Sequence, residues 1–203
     1  MTSNSPPRIA VDLRALVPAP TGIGVYTRSL LLELARRGDF RYLGLAHAAP
    51  HHRDELLAAG VEVEHQSAPL GVIWQQLLLS KRLRRGDVDL LWSPITTLPL
   101  RSPVPGVVTV HDLTTVLMPE THRWKIRLSV LPFLRSSLEN ARRIVAISHA
   151  TAADLARHFP QCAEKVRVIH NGIDPEFVPG GAETVAHTRE GLGAPQGYLL
   201  YAG

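Results

Sequence analysis

Glycines and polar residues that could bind a ligand follow the ends of short apolar runs. The runs Arg8–Leu13 and Val107–His111 predict strands; Gly22-Ile23-Gly24 comes after the first, and the second ends in His111 and Asp112. Glycine lets a backbone approach a phosphate or a sugar closely, and an imidazole can donate a hydrogen bond to a ligand hydroxyl. These residues therefore predict contacts with a phosphorylated or hydroxyl-rich ligand.

Two further groups of polar residues follow strands predicted later in the chain. Ser148 comes after the predicted strand Arg143–Ile147 and is placed to cap the next helix. Asn171 and Gly172 follow the predicted strand Val166–Ile169 and indicate a turn. Because ligands of open parallel sheets bind outside the carboxyl ends of the strands, all of these residues are candidates for one site.

Each feature also has an ordinary structural explanation. A loop rich in proline and glycine can simply reverse the chain, and a histidine that ends an apolar run is often a core residue. Asp112 could cap the next segment or orient the His111 ring. A dinucleotide-binding fingerprint is disfavoured, since position 27, where its third glycine would fall, is Thr27.

The sequence indicates no metal site and no cofactor. Asp87-Val88-Asp89 resembles a metal-binding Asp-x-Asp pair, but it precedes an apolar run and is predicted to begin a strand. His51-His52 has no further ligands at metal-binding spacing. Neither a phosphate loop nor a nucleophile elbow is present, which disfavours an NTPase and an α/β-hydrolase.

The elements that must position these residues alternate along the chain. Short β-branched runs alternate with longer amphipathic stretches, which predicts an α/β fold with a Rossmann-like, doubly wound parallel sheet. The predicted strands are Arg8–Leu13, Tyr42–Ala46, Val61–Val63, Asp89–Trp92, Val107–His111, Arg143–Ile147 and Val166–Ile169. The predicted helices are Val25–Arg37, Arg53–Ala59, Leu70–Arg84, Trp124–Asn140, with a bend at Pro132, and Ser148–Phe159.

The end of the chain has a different composition. Proline, glycine, alanine and polar residues dominate from Pro175 to Gln196, with one short helix predicted over Glu183–Glu190. The apolar run Tyr198–Ala202 then predicts a new strand. We therefore predict one domain over residues 1–178, a linker over 179–196, and the first strand of a truncated second domain over 197–203.

Charge and composition narrow the partners and the compartment. The 22 basic and 18 acidic residues give a net charge of +4 and are scattered, which disfavours nucleic acid and suits a diphosphate or an anionic membrane surface. Cys162 is the sole cysteine, so no disulfide forms within the chain. No signal-peptide core and no apolar run long enough to span a membrane is present. A cytoplasmic protein is expected.

Six short motifs occur along the chain in a characteristic order. They resemble those of the family-four retaining glycosyltransferases, in particular the bacterial mannosyltransferase-like members, and together they span nearly the whole chain. The motifs are Val11-Asp12-Leu13-Arg14, Pro20-Thr21-Gly22-Ile23-Gly24-Val25-Tyr26, Val110-His111-Asp112-Leu113, Pro119-Glu120, Ala141–Ser148 and Ile169-His170-Asn171-Gly172-Ile173-Asp174.

The resemblance implies a GT-B fold, in which two Rossmann-like domains face each other across the active site. This chain would be the N-terminal, acceptor-side half, and a missing C-terminal domain would bind the nucleotide. The implied reaction transfers a hexosyl group, with mannosyl as one candidate, from a nucleotide diphosphate sugar to a glycan or lipid-linked acceptor. It would proceed with retention of configuration and without an essential metal, and the fragment alone would be inactive.

The resemblance also assigns roles to the candidate residues. His111 and Asp112 would be catalytic, with His111 hydrogen-bonded to the donor sugar. The substrate-binding residues would be Gly22, Ile23, Gly24, Ser148, Asn171 and Gly172.

Two other functions remain open. The chain could be a non-catalytic module that binds a glycan or an acceptor. It could also belong to a sugar-nucleotide epimerase of the same fold, but that reaction needs more acid and base carboxylates than Asp112 supplies.

The predicted helix Leu70–Arg84 combines apolar residues with a basic carboxyl-terminal end. Such a helix could lie on the inner face of the cell membrane as a peripheral contact. The alternative is that its apolar residues face the core and its basic end complements the helix dipole.

Overall fold

The computed structural model describes residues 5–17, 21–118, 120, 124–174, 177–195 and 197. For residues 124–129 it describes the backbone only.

The described residues contain one parallel sheet of seven strands in the order β3-β2-β1-β4-β5-β6-β7. The chain moves outward from β1 to β3 and then returns to β4 on the other side of β1, so the topological switch point lies between β1 and β4. The predicted doubly wound α/β fold is confirmed. The strands are β1 (Arg8–Asp12), β2 (Arg41–Ala46), β3 (Glu62–His65), β4 (Leu90–Ser93), β5 (Gly106–Val110), β6 (Ala141–Ala146) and β7 (Val166–Val168).

Helices connect the consecutive strands except β4 and β5, which are joined by a loop. The longest described ones, α1 and α6, have 16 and 17 residues, and α6 continues through Pro132. The α-helices are α1 (Gly22–Arg37), α2 (Arg53–Ala58), α3 (Gly71–Ile73), α4 (Ser80–Leu83), α5 (Thr114–Leu117), α6 (Trp124–Asn140), α7 (His149–His158) and α8 (Ala182–Gly191). Two 3-10 helices cover Leu13–Leu16 and Pro160–Lys165.

Each face of the sheet has its own buried core, because successive strand side chains point to opposite faces. On β4, Leu91 belongs to one core and Trp92 to the other. Leu31 of α1 packs into the core that contains Trp92, whereas Leu138 of α6 and Leu155 of α7 belong to the core that contains Leu91. The sheet is therefore covered by helices on both faces.

Helix α1 begins three residues earlier than the sequence predicted. Thr21 is its N-cap, and the Thr21 hydroxyl oxygen accepts a hydrogen bond from the Gly24 N–H at 3.1 Å. The expectation that Gly22-Ile23-Gly24 forms a loop is therefore wrong. These residues form the first turn of the helix. The Thr21 side chain accepts from the Gly24 N–H, which would otherwise have no partner at the start of the helix.

The predicted helix Leu70–Arg84 is interrupted in the structure. A π-helical stretch, Trp74–Leu79, lies between α3 and α4. Its wider turn accompanies the complete burial of the Gln75 side chain, which makes hydrogen bonds that a regular amphipathic pattern does not predict.

The region after β7 also differs from the prediction. Residues 169–174, all of which the structure describes, contain no turn, so the turn predicted at Asn171 and Gly172 is wrong. The Ile169 N–H instead donates to the Ala146 oxygen at 3.0 Å, which continues the β6–β7 pairing for one more residue.

The chain divides into two units, Met1–Asn171 and Gly172–Gly203. The second unit contains α8 (Ala182–Gly191), where the sequence predicted one short helix. The predicted strand Tyr198–Ala202 lies outside the described residues, and the predicted domain bounds remain a prediction.

The two glycines of the first turn of α1 make a matched pair for a stability measurement. A Cβ on Gly24 would lie 2.9 Å from the Ala15 backbone oxygen, whereas a Cβ on Gly22 would meet nothing within 4 Å. We expect Gly24→Ala to lower the free energy of unfolding by about 1–3 kcal/mol, because backbone must move to admit the methyl group. Gly22→Ala should leave it unchanged or raise it by up to about 1 kcal/mol. Denaturant unfolding measures both, and equal effects would contradict the close packing of Gly24.

Candidate functional site

An open cleft of about 580 Å³ lies at the carboxyl edge of the sheet. Its lining includes Arg14, His47, Thr97 and His111, which follow β1, β2, β4 and β5 respectively. These strands are consecutive in the sheet, so the switch point between β1 and β4 is at the middle of the cleft. The other lining residues are Ile23, Leu70, Gly71, Val72, Ile95, Thr96, Asp112, Thr115 and Val130.

His111 lies directly after β5, where the sequence placed it. Its Nε2 is 3.0 Å from the Pro94 oxygen. A carbonyl oxygen can only accept, so the proton is on Nε2, and in the neutral ring Nδ1 is a hydrogen-bond acceptor. Burial lowers the pKa of His111, and this effect outweighs the opposing influence of Pro94 and Asp112. The neutral ring therefore offers an acceptor to a ligand hydroxyl, whereas the sequence suggested a donor.

Aromatic packing holds the His111 ring in place. The Tyr26 ring contacts it edge to face, with centroids 4.9 Å apart. The Tyr26 hydroxyl is 3.3 Å from Thr109 Oγ1, which also accepts a hydrogen bond from Trp92 Nε1 at 3.3 Å. The sequence reasoning missed Tyr26 as a site residue. Tyr26 lies one helical turn after Gly22. A sequence reader could infer that it faces His111 only by knowing that α1 begins at Gly22.

Asp112 caps the segment that follows β5. Its Oδ1 accepts hydrogen bonds from the Thr114 N–H at 2.8 Å and from the Thr114 hydroxyl at 2.5 Å, at the start of α5. This was one of the two structural roles that the sequence left open. Asp112 is also exposed and lines the cleft.

Ser148 is the N-cap of α7, as predicted. Its oxygen accepts from the Thr151 N–H at 3.1 Å, and the Thr151 hydroxyl donates to the His111 backbone oxygen at 3.2 Å. Because the Thr151 proton is used on His111, the Ser148 hydroxyl donates to Thr151 Oγ1 at 3.0 Å. Ser148 therefore anchors the backbone of His111 through Thr151, which the sequence reasoning missed.

The structure brings only some of the other predicted residues to the cleft. Ile23 is half-buried and lines it, Gly22 is exposed at the first position of α1, and Gly24 is buried with its N–H bonded to Thr21. Asn171 is exposed and is not part of the cleft lining, and Gly172 belongs to the second unit.

A buried ion pair reaches the cleft through Arg14, which is one of the lining residues. Asp12 is fully buried, and its carboxylate is 2.8 Å from Nη2 of Arg14, a side chain that is 11% exposed. Gln75 Nε2 donates to the Thr97 oxygen at 2.7 Å and to the Asp12 carboxylate at 3.3 Å. Arg14 also donates to Thr97 Oγ1 at 3.2 Å. The motif that contains Asp12 and Arg14 was visible in the sequence, but its place in the cleft was not.

His47 is the second histidine of the cleft. Its Nδ1 atom is buried and has no hydrogen-bond partner among the described residues. Burial lowers the pKa of His47, with a further contribution from the Arg14 charge, while Asp12 opposes the shift. The ring is therefore neutral near pH 7.

The Asp87 and Asp89 carboxylates make structural contacts. Asp87 pairs with Arg8 at 2.6 Å and with Arg82 at 2.7 Å, and these contacts lower its pKa. Asp89 accepts from the Arg8 N–H at 2.7 Å. Among the described residues, no three His, Cys, Asp or Glu side chains form a group that could hold a metal ion. The described helices include none that is long and apolar enough to cross a membrane.

A doubly wound parallel sheet with a cleft at its switch point defines a Rossmann-like ligand-binding domain. Comparison with protein families matches residues 20–177, well over half of the chain, to Glycosyltransferase Family 4. The chain belongs to this family.

Solved structures show the same fold. HepE from Anabaena in complex with UDP-glucose is 22% identical with a TM-score of 0.58, and the match covers 92% of this chain and 50% of HepE. A glycosyltransferase from Rickettsia africae is 13% identical with a TM-score of 0.54, covering 96% of this chain and 51% of that protein. This chain thus spans about half the length of these structures. No curated protein matches the chain.

These matches confirm the resemblance to the family-four glycosyltransferases that the sequence indicates. The chain has the fold of the N-terminal domain of a GT-B glycosyltransferase.

The protonation state of His111 gives a test of the site geometry. We expect its pKa below the ordinary value of 6.5, with the neutral ring protonated on Nε2. As the pH falls, His111 then takes up its proton at a higher pH in the unfolded chain than in the folded one. His111 therefore lowers the stability of the fold as the pH falls below 6.5. A pH titration of the imidazole nitrogens by NMR measures the pKa and the tautomer. A proton on Nδ1 would contradict the contact with Pro94, and a midpoint above 6.5 would contradict the conclusion that burial outweighs that contact.

Proposed function

We propose that this chain is the acceptor-side half of a retaining glycosyltransferase. The enzyme would transfer a hexosyl group from a nucleotide diphosphate sugar to a hydroxyl of a glycan or lipid-linked acceptor. The observation that carries the proposal is His111, held neutral with Nδ1 as an acceptor in a cleft at the switch point of a Family 4 chain. The complex of HepE with UDP-glucose supports a nucleotide-sugar donor.

The residues of the cleft support distinct parts of this reaction. His111 Nδ1 would accept a hydrogen bond from a hydroxyl of the donor sugar, and Ile23 would pack against it. Gly22 begins a 16-residue helix, whose amino-terminal dipole would favour the charge that develops on the leaving diphosphate. We retain Asp112 as a proposed catalytic residue, because its carboxylate lines the cleft beside His111.

Several finer features belong to the same proposal. The acceptor oxygen would bond to the anomeric carbon on the same face from which the diphosphate leaves, so the configuration would be retained. The leaving phosphate oxygen would take the acceptor proton, and neither a metal nor a cofactor would be required. Mannosyl is the hexosyl group suggested by the sequence resemblance, and glucosyl is the one suggested by HepE. The protein would work in the cytoplasm at the inner face of the membrane, in polysaccharide biosynthesis.

An exposed stripe beside the cleft supports a lipid-linked acceptor. Leu70, Ile73 and Leu77 are 57%, 40% and 64% exposed at helical spacing, and the exposed Lys81 and Arg84 continue the same spacing. Trp74 and Leu79 of this segment face the core, so the core explanation holds for them. Since Leu70 also lines the cleft, the stripe would place the cleft mouth at an anionic membrane surface.

The first test is turnover by the complete gene product that contains this chain. We expect release of the nucleoside diphosphate from GDP-mannose or UDP-glucose. NMR of the product should show the same anomeric configuration as in the donor. His111→Ala should lower kcat/KM by about tenfold or more, because a hydrogen bond to the donor sugar is lost. His158→Ala, an exposed histidine at the end of α7, is the control and should leave kcat/KM unchanged.

Three outcomes of this experiment would change the proposal. A product of inverted configuration would refute retention, and turnover by the 203-residue chain alone would refute its inactivity. Binding of a glycan without turnover of any donor would favour the non-catalytic binding module.

The second test is cosedimentation of the 203-residue chain with lipid vesicles. We expect binding to phosphatidylcholine vesicles that contain phosphatidylglycerol, and weaker binding without the anionic lipid. Leu77→Glu should weaken binding by roughly tenfold or more, because a leucine is no longer buried in the interface. Leu57→Glu, a substitution at an exposed leucine of α2, is the control. Equal loss in both variants would contradict a contact at the stripe.

A further inference from the structure

One short pattern occurs twice around the connection between β4 and β5. Ser93-Pro94-Ile95 begins at the last residue of β4, and Ser102-Pro103-Val104 comes shortly before β5. In both copies the serine hydroxyl donates to the carbonyl oxygen two residues later, at 2.7 Å. Among the described lining residues of the cleft, Ile95 belongs to the first copy and none belongs to the second. The two copies therefore separate a local role of the serine from a role at the cleft.

The Ser93 side chain is fully buried, and its hydroxyl serves two carbonyl oxygens. Besides the Ile95 oxygen, Ser93 Oγ lies 2.9 Å from the Thr97 oxygen. Gln75 Nε2 donates to the same Thr97 oxygen at 2.7 Å. Ser93 thus holds the bend that follows β4, and Gln75 fixes the end of this bend to the π-helical stretch.

Pro94 lies inside this bend, and its carbonyl oxygen is 3.0 Å from His111 Nε2. The proline ring fixes φ at about −65°, so the direction of the carbonyl depends on rotation about ψ of Pro94. The hydrogen bond from Ser93 to Ile95 restricts this rotation, because it joins the residues on either side of Pro94. Removal of the hydroxyl would therefore free the Pro94 carbonyl to turn away from His111.

The Pro94 carbonyl decides which nitrogen of His111 carries the proton. A carbonyl oxygen only accepts, so Nε2 is protonated and Nδ1 is left as an acceptor in the neutral ring. The other contacts of His111 do not impose this choice, since Tyr26 packs against the ring and Thr151 bonds to the backbone oxygen. The position of the proton therefore depends on the bend that Ser93 holds.

We propose that Ser93 is a positioning residue for His111, because its hydroxyl holds the Pro94 carbonyl where it binds Nε2. This leaves Nδ1 as the acceptor for a hydroxyl of the donor sugar. The inference rests on the proposed function and specifies how its histidine is set before a ligand binds. Ser93 acts through Pro94 and does not touch the substrate, since it is fully buried.

The first test follows the Nε2 proton of His111 by NMR in the 203-residue chain, without any ligand. Ser93→Ala should speed the exchange of this proton with water by about tenfold, because the hydrogen bond to Pro94 is weakened. Ser102→Ala removes the equivalent local hydrogen bond and should leave the exchange rate unchanged. An unchanged rate in Ser93→Ala would overturn the inference, and so would equal acceleration by both variants.

The pKa of His111 separates a positioning role from a general loss of packing. The contact with Pro94 raises this pKa, whereas burial lowers it. Ser93→Ala should therefore move the pKa further below 6.5, because the contact is weakened while the ring stays buried. Entry of water into a loosened fold would instead raise the pKa towards 6.5, and that result would overturn the inference. If Ser93→Ala does not fold, Ser93→Cys places a weak donor at the same position and allows the same two measurements.

The second test is a double-mutant cycle on kcat/KM of the complete gene product. Ser93→Ala should lower kcat/KM by about fivefold when His111 is present, and should have no further effect in the His111→Ala background. Ser102→Ala should leave kcat/KM unchanged in both backgrounds. Equal losses from Ser93→Ala in the two backgrounds would show that Ser93 does not act through His111, which would overturn the inference.

The two proposals fail separately. Turnover of a donor together with an unchanged exchange rate in Ser93→Ala would refute the positioning role alone. Faster exchange in Ser93→Ala without turnover of any donor would refute the transferase and leave the positioning of the His111 ring in place.

Discussion

The buried carboxylate of Asp12 is the constraint on which the cleft depends. A charge removed from water is costly unless it is paired and hydrogen-bonded, so the end of β1 must recruit partners. Arg14 supplies the opposite charge and Gln75 supplies a further hydrogen bond. Arg14 and Gln75 also bond to Thr97, so one buried charge joins β1, the π-helical stretch and the segment after β4.

The other end of the cleft is held by neutral contacts. His111 donates to a backbone oxygen, packs against Tyr26 and has its own carbonyl bound by Thr151. Gly24 contributes indirectly, because its close approach to Ala15 allows α1 to begin where it does. A cleft whose buried charges are paired and whose two histidines are neutral is suited to hydroxyl-rich ligands.

The elements with strong local signals were predictable. The strands follow from apolar runs, and the start of α7 follows from Ser148, whose side chain caps the helix within three residues. His111 was found because a strand end places a side chain at the sheet edge. The first turn of α1 was misassigned because glycine favours loops locally. In the structure the Thr21 cap bonds the Gly24 N–H, and the absence of a Cβ on Gly24 leaves room for the Ala15 oxygen.

The sequence by itself determined the fold class, the family resemblance and the position of His111, since these depend on local pattern and on the order of motifs along the chain. The tertiary structure decided which nitrogen of His111 is protonated, and it placed His47 and Gln75 beside Arg14. These features depend on pairs such as Asp12 and Gln75, which are 63 residues apart. A local sequence pattern cannot predict this contact, because the segments that contain Asp12 and Gln75 meet only in the folded structure.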